Sequence, residues 1–395
     1  MHDLEQETKA DVPWVDAVIV GAGPAGIGMA LALEKLVDIE YVVLEAEEIG
    51  ASFRRWPVQT RFITPSFHSN PFGLADLNAI NEISSPAILA GAEHLSGEQY
   101  AHYLNFIAQA HELPISEGCK VYRAEALEQG GFWLDTGQGE LRTRYLIWAT
   151  GEYQFPDLTP FPGAQWCVHY ARVSDWAELS DRQECTASVD PSCPFTVIGG
   201  YESGVDAAIN LVRLGHHVRL LARKSSWLRE GPYDPSLSLS PYSRERLVEA
   251  LKSERLDIVF GIDVVEVARD DKGGFRIHAA DGSHWDTAQP PVLGTGFHKG
   301  GGARQVAELW HWTEEGHVAL TEGDESTRTP GLFLVGPQVR HDQRIYCFIY
   351  KFRQRFGLVA EQIAERMELD ASALQSGAGA WGPFGNSDCC EDCEC

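Results

Sequence analysis

Gly21, Gly23 and Gly26 follow the apolar stretch 16–20 and precede a run rich in alanine and leucine. A strand, a G-x-G-x-x-G turn and an amphipathic helix over Ile27 to Val37 thus succeed one another. In such a turn the first glycine allows the tight reversal, the second lets the backbone approach a pyrophosphate, and the third lets helix and strand pack closely. The N–H groups at the helix start then face the anion. A second strand, Tyr41 to Leu44, ends in Glu45, about 20 residues on, where a carboxylate accepts hydrogen bonds from an adenosine ribose. The chemistry implied is the holding of a dinucleotide. The competing explanation is a glycine turn in an ordinary α/β protein.

The pattern recurs over 195–224, "FTVIGGYESGVDAAINLVRLGHHVRLLARK", with Gly199, Gly200, Ser203 and Gly204 in the turn. A helix is expected from about Val205 to Leu214 and a strand over Val218 to Ala222. Tyr201 stands where the middle glycine would be, so phosphate contact there is less close or the chain bends differently. Arg223 and Lys224 replace the terminal acid. Cations at that position suit a ribose 2′-phosphate, which favours NADPH over NADH; a solvated basic pair is the other reading. Two cradles in one chain imply two dinucleotides, one resident and one exchanging. FAD in the first and a nicotinamide in the second is the pairing that redox chemistry asks for.

Four of the nine cysteines crowd the end of the chain as "CCEDCEC": Cys389, Cys390, Cys393 and Cys395. Such a cluster can offer thiolates to a soft metal ion such as Zn(II), Cu(I), As(III) or Hg(II). The intervening Glu391, Asp392 and Glu394 raise thiol pKa values and oppose a highly reactive redox pair. Metal capture, a redox relay carried on the glycine-rich linker 377–388, and an incidental tail all stay open. Cys347 reads as a small buried hydrophobe, or as a group near the cofactor if its helix approaches it. His341 and Asp342 read as acid/base candidates or as a polar loop.

The chain that must position these groups has 395 residues, 44% hydrophobic, beyond the usual size of a single core, so two domains are expected. Its net charge of −25 repels nucleic acid and anionic membranes. No apolar run approaches the roughly 20 residues of a membrane span, and the acidic N-terminus lacks signal-peptide features, so a cytoplasmic protein is expected. There is no H-E-x-x-H, P-loop or G-x-S-x-G. The segment 345–367 has helical periodicity.

The two glycine units, with "LIWATGEYQFP" (146–156), "VLGTGF" (292–297) and "TPGLFLVGP" (329–337), resemble the two-dinucleotide-binding-domain flavoproteins, from about Val15 to Ile363. The resemblance implies an α/β fold of two Rossmann-like dinucleotide-binding domains, the NAD(P)H domain inserted into the FAD domain. The FAD domain would comprise 13–155 and 298–370, the NAD(P)H domain 156–297, with 371–395 a flexible cysteine-rich tail. Thr150 and Gly151 would lie at the crossover and Gly336 at the flavin's ribityl chain. Thioredoxin-reductase-like members follow that glycine with Asp; here Pro337 follows, and Asp342 is a weak substitute.

Residues 50–80 resemble the corresponding stretch of flavin-dependent monooxygenases. Gly50, Ser52, Trp56 and Pro57 would line the flavin. Asn70 would donate a hydrogen bond to a flavin hydroperoxide, or simply start the Asn-Pro turn. His169 would steer the nicotinamide, or is an ordinary residue between domains. No C-x-x-C or C-x4-C occurs before Cys389, which excludes the standard internal dithiol of the disulfide reductases. The bacillithiol disulfide reductases share that lack. Mercuric reductases use a terminal pair resembling Cys389-Cys390, and on that analogy these two are also redox candidates.

The expected function is hydride transfer from NAD(P)H to FAD, then oxygenation of a soft, nucleophilic small molecule. Reduction of a small disulfide or of a metal–thiolate through the tail is the alternative. A slow redox-sensing or metal-binding flavoprotein is the third reading. A homodimer is left open.

Overall fold

The computed structural model describes residues 12–67, 75–81, 83–182, 194–227, 234–271 and 273–375. They form two compact units. One comprises the chain up to Arg54, Pro65–Gln154 and the chain from Lys299; the other comprises Arg55–Thr64 and Phe155–His298. Arg55–Thr64 falls inside the span that the sequence reading gave to the first domain, yet it packs with the second unit. Gln59 is held by Asp175 and the Trp176 N–H, and Thr60 by Tyr170 and Asp206.

In the first unit the apolar strand Trp14–Val20 sits between Tyr41–Leu44 and Gly139–Trp148, all parallel, with Val18 beside Val42 and Leu146. Ile115–Ser116 extends the sheet on one side, and Leu332–Leu334 pairs in parallel with Gly139–Trp148. The antiparallel strands Phe132–Thr136 and Val121–Ala126 complete it. Strands reading Val-Ile-Val and Leu-Ile-Trp without alternation suit a sheet covered on both faces.

The helix after the first glycine turn is Pro24–Leu33, not the amphipathic Ile27–Val37 that the sequence suggested. From Ala25 onward every residue is buried, because the amphipathic helix Gln354–Met367 packs on the side away from the sheet. At Gly28 a Cβ would come within 2.0 Å of the Phe356 ring. A helix apolar all round belongs between two layers. The expected helix over 345–367 is shorter and broken: Arg344–Ile345 is a strand, and helices Ile349–Phe352 and Gln354–Met367 follow. Residues 371–375, placed with the tail by sequence, include the helix Ser372–Gln375, and Leu374 is buried.

Helix Gln354–Met367 is tied to the sheet by Arg366, whose Nη1 and Nη2 donate to Oε1 and Oε2 of Glu325 at 2.6 and 2.7 Å. Burial pushes the Glu325 carboxyl up, but Arg366 and the Gly331 N–H outweigh it and hold the group below its ordinary value. A carboxyl held low in the folded chain contributes stability above the ordinary glutamate range and loses it as pH falls through the folded value. Arg366→Met is therefore expected to lower Tm at pH 7, and the difference from wild type should close as the pH falls below the ordinary glutamate range. Thermal melts of both proteins across pH check this; a difference unchanged at acid pH would refute the ion-pair account.

The second unit is a parallel sheet in the order Leu256–Phe260, Val218–Ala222, Phe195–Ile198, Val292–Leu293, Val168–His169. An antiparallel sheet of Val264–Arg269, Phe275–Ala279 and His284–Thr287 accompanies it. Helix Glu202–Arg213 follows the second glycine turn, three residues earlier than the sequence suggested because Tyr201 serves as its N-cap. No helix among the described residues is long and apolar enough to cross a membrane.

Candidate functional site: two dinucleotide cradles

The first cradle is built by close approach of backbone. Gly21 has φ +106°, and a Cβ there would meet the Ala149 carbonyl oxygen at 2.8 Å; a Cβ on Gly26 would lie 1.8 Å from the Gly21 oxygen. These two glycines are fixed by the protein's own packing. Gly23 is different: a Cβ there meets nothing within 4 Å. A glycine at a helix N-terminus with open space before it suits a phosphate drawn against bare backbone. Thr150 points the same way, for its Oγ1 is buried without a hydrogen-bond partner, a state native proteins resolve with a ligand or water. Gly336, at φ +104°, brings the end of the late strand close to this helix, its Cβ position 3.0 Å from that of Ala25. The residues present therefore fit the diphosphate and ribityl portion of FAD.

Glu45 is buried, and its Oε2 and Oε1 accept the backbone N–H groups of Ala22 and Glu47 at 2.7 and 3.0 Å. Burial raises its pKa despite these bonds. Its carboxylate thus pins the glycine turn, and lone pairs are left over for a ribose hydroxyl. Ser52 Oγ accepts from Gln154 Nε2 at 3.2 Å, while Trp56 lies in the second unit with its ring 5.0 Å from that of Phe62. Behind Gly151, Gln338 accepts the Gly300 N–H at 2.8 Å and donates to Glu152. Gln338, two positions after Gly336, was not singled out by sequence. Asp342 is exposed at the turn between Arg340–His341 and Arg344–Ile345. His341 instead pairs with the fully buried Asp324, which Arg355 also grips.

In the second cradle, a Cβ on Gly199 would meet the Gly294 oxygen at 2.3 Å, one on Gly200 the Ala222 Cβ at 2.3 Å, and one on Gly204 the Gly199 oxygen at 1.7 Å. Gly294 was missed by sequence, and it is needed because a Cβ there would lie 2.6 Å from Gly204 Cα. Unlike Gly23, none of Gly199, Gly200 and Gly204 is left bare. Tyr201 turns its hydroxyl to the carbonyls of Ser236 and Ser238, both at 2.6 Å, and Lys224 lies over its ring. Trp227 donates to the Gly200 carbonyl. Ser203 is partly buried at the helix start, and Arg223 is exposed. The turn and helix start fit a dinucleotide phosphate, with Arg223 the more available of the two cations.

Asn70 lies outside the described residues, as do Cys389, Cys390, Cys393 and Cys395. Asp76 accepts Ser66 Oγ, the Phe67 N–H and Ser85 Oγ, joining the two ends of segment 68–74. Buried Arg353 donates to the carbonyls of Asp76, Ala79 and, at 3.5 Å, Ala75. Sequence reasoning passed over both; the signal for Arg353 was its place between Phe352 and Phe356 in the aromatic-rich stretch 345–356. His169 is 2% exposed, its Nε2 is 3.0 Å from the Gly296 carbonyl, and its Nδ1 accepts the Ala171 N–H. That network assigns the Nε2–H tautomer, and burial lowers the pKa. The ring is neutral, with both nitrogens used by backbone.

The sequence matches the family described as pyridine nucleotide-disulphide oxidoreductase over residues 18–336. The chain belongs to this family. It is a flavin-dependent pyridine nucleotide oxidoreductase. It is 22% identical over 363 residues to the bacilliredoxin reductase Bdr of Bacillus subtilis, covering 89% of this chain and 98% of that one. Among solved structures, the bacillithiol disulfide reductase Bdr (YpdA) of Staphylococcus aureus superimposes with a TM-score of 0.67 at 18% identity, over 90% of this chain and 99% of that one. A flavin-containing monooxygenase from Stenotrophomonas maltophilia gives 0.65 at 17% identity, over 90% and 100%. At such identities the likeness shows the shared fold.

Within this oxidoreductase, none of Cys119, Cys167 and Cys347 forms a disulfide. Cys119 is buried, and burial pushes the Cys167 thiol up to about 12, so it stays protonated. No group of three or more His, Cys, Asp or Glu suited to a metal occurs among the described residues.

Proposed function

We propose that the chain is an NAD(P)H-dependent, FAD-containing reductase of a small diffusible disulfide, of the bacillithiol disulfide kind. The observation that carries this is that, among the described residues, no cysteine forms a disulfide and burial holds the Cys167 thiol protonated, so on this reading the acceptor comes to the cofactor. The relatives named bacilliredoxin and bacillithiol disulfide reductase, matched over 98–99% of their lengths, support it. The overall reaction is NAD(P)H + H⁺ + RSSR → NAD(P)⁺ + 2 RSH.

FAD, when bound, takes a hydride from the nicotinamide and hands on two electrons. The chain's own residues hold the two carriers. The Gly21–Gly26 turn and the helix start at Pro24 receive the FAD diphosphate, with Thr150 Oγ1 as a further polar contact. Glu45 fixes the turn and accepts from the ribose. The Gly199–Gly204 turn receives the nicotinamide dinucleotide. Arg223 binds the 2′-phosphate and so favours NADPH. On this reading Arg223→Glu raises KM for NADPH by about 10- to 100-fold, the scale of a lost charge-assisted contact, and barely moves KM for NADH. Steady-state kinetics with both nucleotides check it; equal effects would place the 2′-phosphate elsewhere.

A second reading, oxygenation of a soft nucleophile, is favoured by the monooxygenase likeness. Anaerobic assay separates the two: NADPH consumption with bacillithiol disulfide or glutathione disulfide in the absence of O2 is the expected result. Consumption only in air, coupled to product oxygenation and lost in Asn70→Ala, would replace the reductase reading. Persistence of disulfide turnover in Cys389→Ser/Cys390→Ser is also expected; its loss would shift the electron path to the tail.

A further inference from the structure

The second unit holds a cavity of about 320 Å3 lined by Gln59, Arg61, Asn210, Arg213, Leu214 and Tyr242. It lies at the C-terminal end of helix Glu202–Arg213, whereas the glycine turn lies at the other end, roughly 15 Å of helix axis away. The cavity is therefore separate from the dinucleotide cradle. Its size falls within the range of small-ligand sites.

The polar side chains that line it are two guanidinium groups, two amides and a phenol. On the helix face Asp206, Asn210 and Arg213 succeed one another at i, i+4 and i+7. The Asp206 carboxylate is engaged by three donors: its Oδ2 accepts from Thr60 Oγ1 at 2.9 Å and Tyr170 Oη at 2.8 Å, and its Oδ1 from Arg246 Nη1 at 2.7 Å. Gln59 has its amide committed to Asp175 and the Trp176 N–H. Arg61 is braced through Nη1 on the carbonyls of Val58 and Thr60 at 2.7 and 2.8 Å, and a guanidinium so held has further donors to offer. Arg213 is exposed. None of the six lining residues is acidic, although the chain carries 57 acids against 32 Lys and Arg.

Asn210 decides the ligand's polarity. It is 4% exposed, it lines the cavity, and its Nδ2 has no hydrogen-bond partner. Proteins seldom leave such a donor buried and bare. Two guanidinium groups and this N–H together ask for an acceptor with spread negative charge, and Arg recognises a planar carboxylate through paired N–H bonds. Leu214 and the Tyr242 ring supply apolar wall that a bare inorganic anion would not use.

We propose that this cavity binds a small organic carboxylate with an apolar body, at a site distinct from the dinucleotide cradles. Calorimetric titration of the purified full chain, at constant ionic strength, tests it with benzoate, its neutral isostere benzamide, and inorganic phosphate. Saturable one-to-one binding of benzoate at about 1 mM or tighter is expected, with benzamide and phosphate each at least about tenfold weaker, roughly one charge-assisted hydrogen bond. Arg213→Gln, at an exposed position, should weaken benzoate about tenfold while NADPH turnover stays unchanged. Asn210→Leu should do the same. Unchanged benzoate affinity in Arg213→Gln, or no saturation by benzoate at tens of millimolar, overturns the site. Benzamide equal to benzoate overturns the anionic ligand, and phosphate equal to benzoate overturns the apolar body.

Discussion

Replacing Gly26 by valine is expected to give a protein without flavin colour, whereas Gly23→Val is expected to fold normally and lose only its grip on the cofactor. The two glycines sit three residues apart in one turn, yet they are glycine for different reasons. At Gly26 even the first added carbon falls 1.8 Å from the Gly21 oxygen, and the nearby atoms are backbone, which cannot swing aside. Overpacking of this kind costs about 1–3 kcal/mol or more, and it is relieved only by opening the turn proposed to hold the diphosphate. At Gly23 a Cβ meets no protein atom within 4 Å, so the apo fold has nothing to lose. A side chain there would instead occupy the space proposed for the phosphate. Tm of the apo proteins and flavin affinity by fluorescence quenching separate the cases: Gly26→Val falls in both, Gly23→Val falls at least about tenfold in affinity alone. Equal flavin affinity in Gly23→Val and wild type would mean that the first cradle does not hold a diphosphate. Gly204→Val, whose Cβ would lie 1.7 Å from the Gly199 oxygen, should keep the flavin while abolishing its reduction by NADPH.

The second large effect is expected at Arg353. Its guanidinium is buried among the carbonyls of Ala75, Asp76 and Ala79, and burial lowers its pKa. Arg353→Met leaves these acceptors without their donor. At about 1–3 kcal/mol for each buried polar group left unsatisfied, the loss is about 3 kcal/mol or more, of the order of 10 °C in Tm at the 2–4 °C per kcal/mol found for domains of 150–250 residues. Because Asp76 also joins the two sides of segment 68–74, turnover should fall by more than flavin content does. Asp76→Asn, which keeps the shape and weakens the acceptors, should show the smaller drop in Tm. Melting curves with flavin-to-protein ratios check both. An Arg353→Met protein melting with wild type would show that the carbonyls find other donors.

Much of this could be read before any coordinates. The turns Gly21–Gly26 and Gly199–Gly204, the strands Tyr41–Leu44 and Val218–Ala222, and the two-domain α/β class were legible from local pattern, since Gly26 and Gly204 each press on the glycine oxygen five residues back, although Gly21 and Gly199 are also held by the distant Ala149 and Gly294. Tyr201 was legible as a misfit in the second turn for the same reason. Its partners at Ser236 and Ser238 were not.

What tertiary structure decided involves residues brought together over long separations. Arg353 meets Asp76 across 277 positions, and Asn210 and Arg61 line one cavity because a segment that sequence placed in the other domain packs with the second unit. Gly294 is required only because Gly204 comes to lie against it. The helix Pro24–Leu33 became a wholly buried layer once Gln354–Met367 covered it. Period and turn chemistry act within a few residues and so are written in the order of the chain; the pairing of a buried charge or a bare amide depends on which distant backbone folds against it.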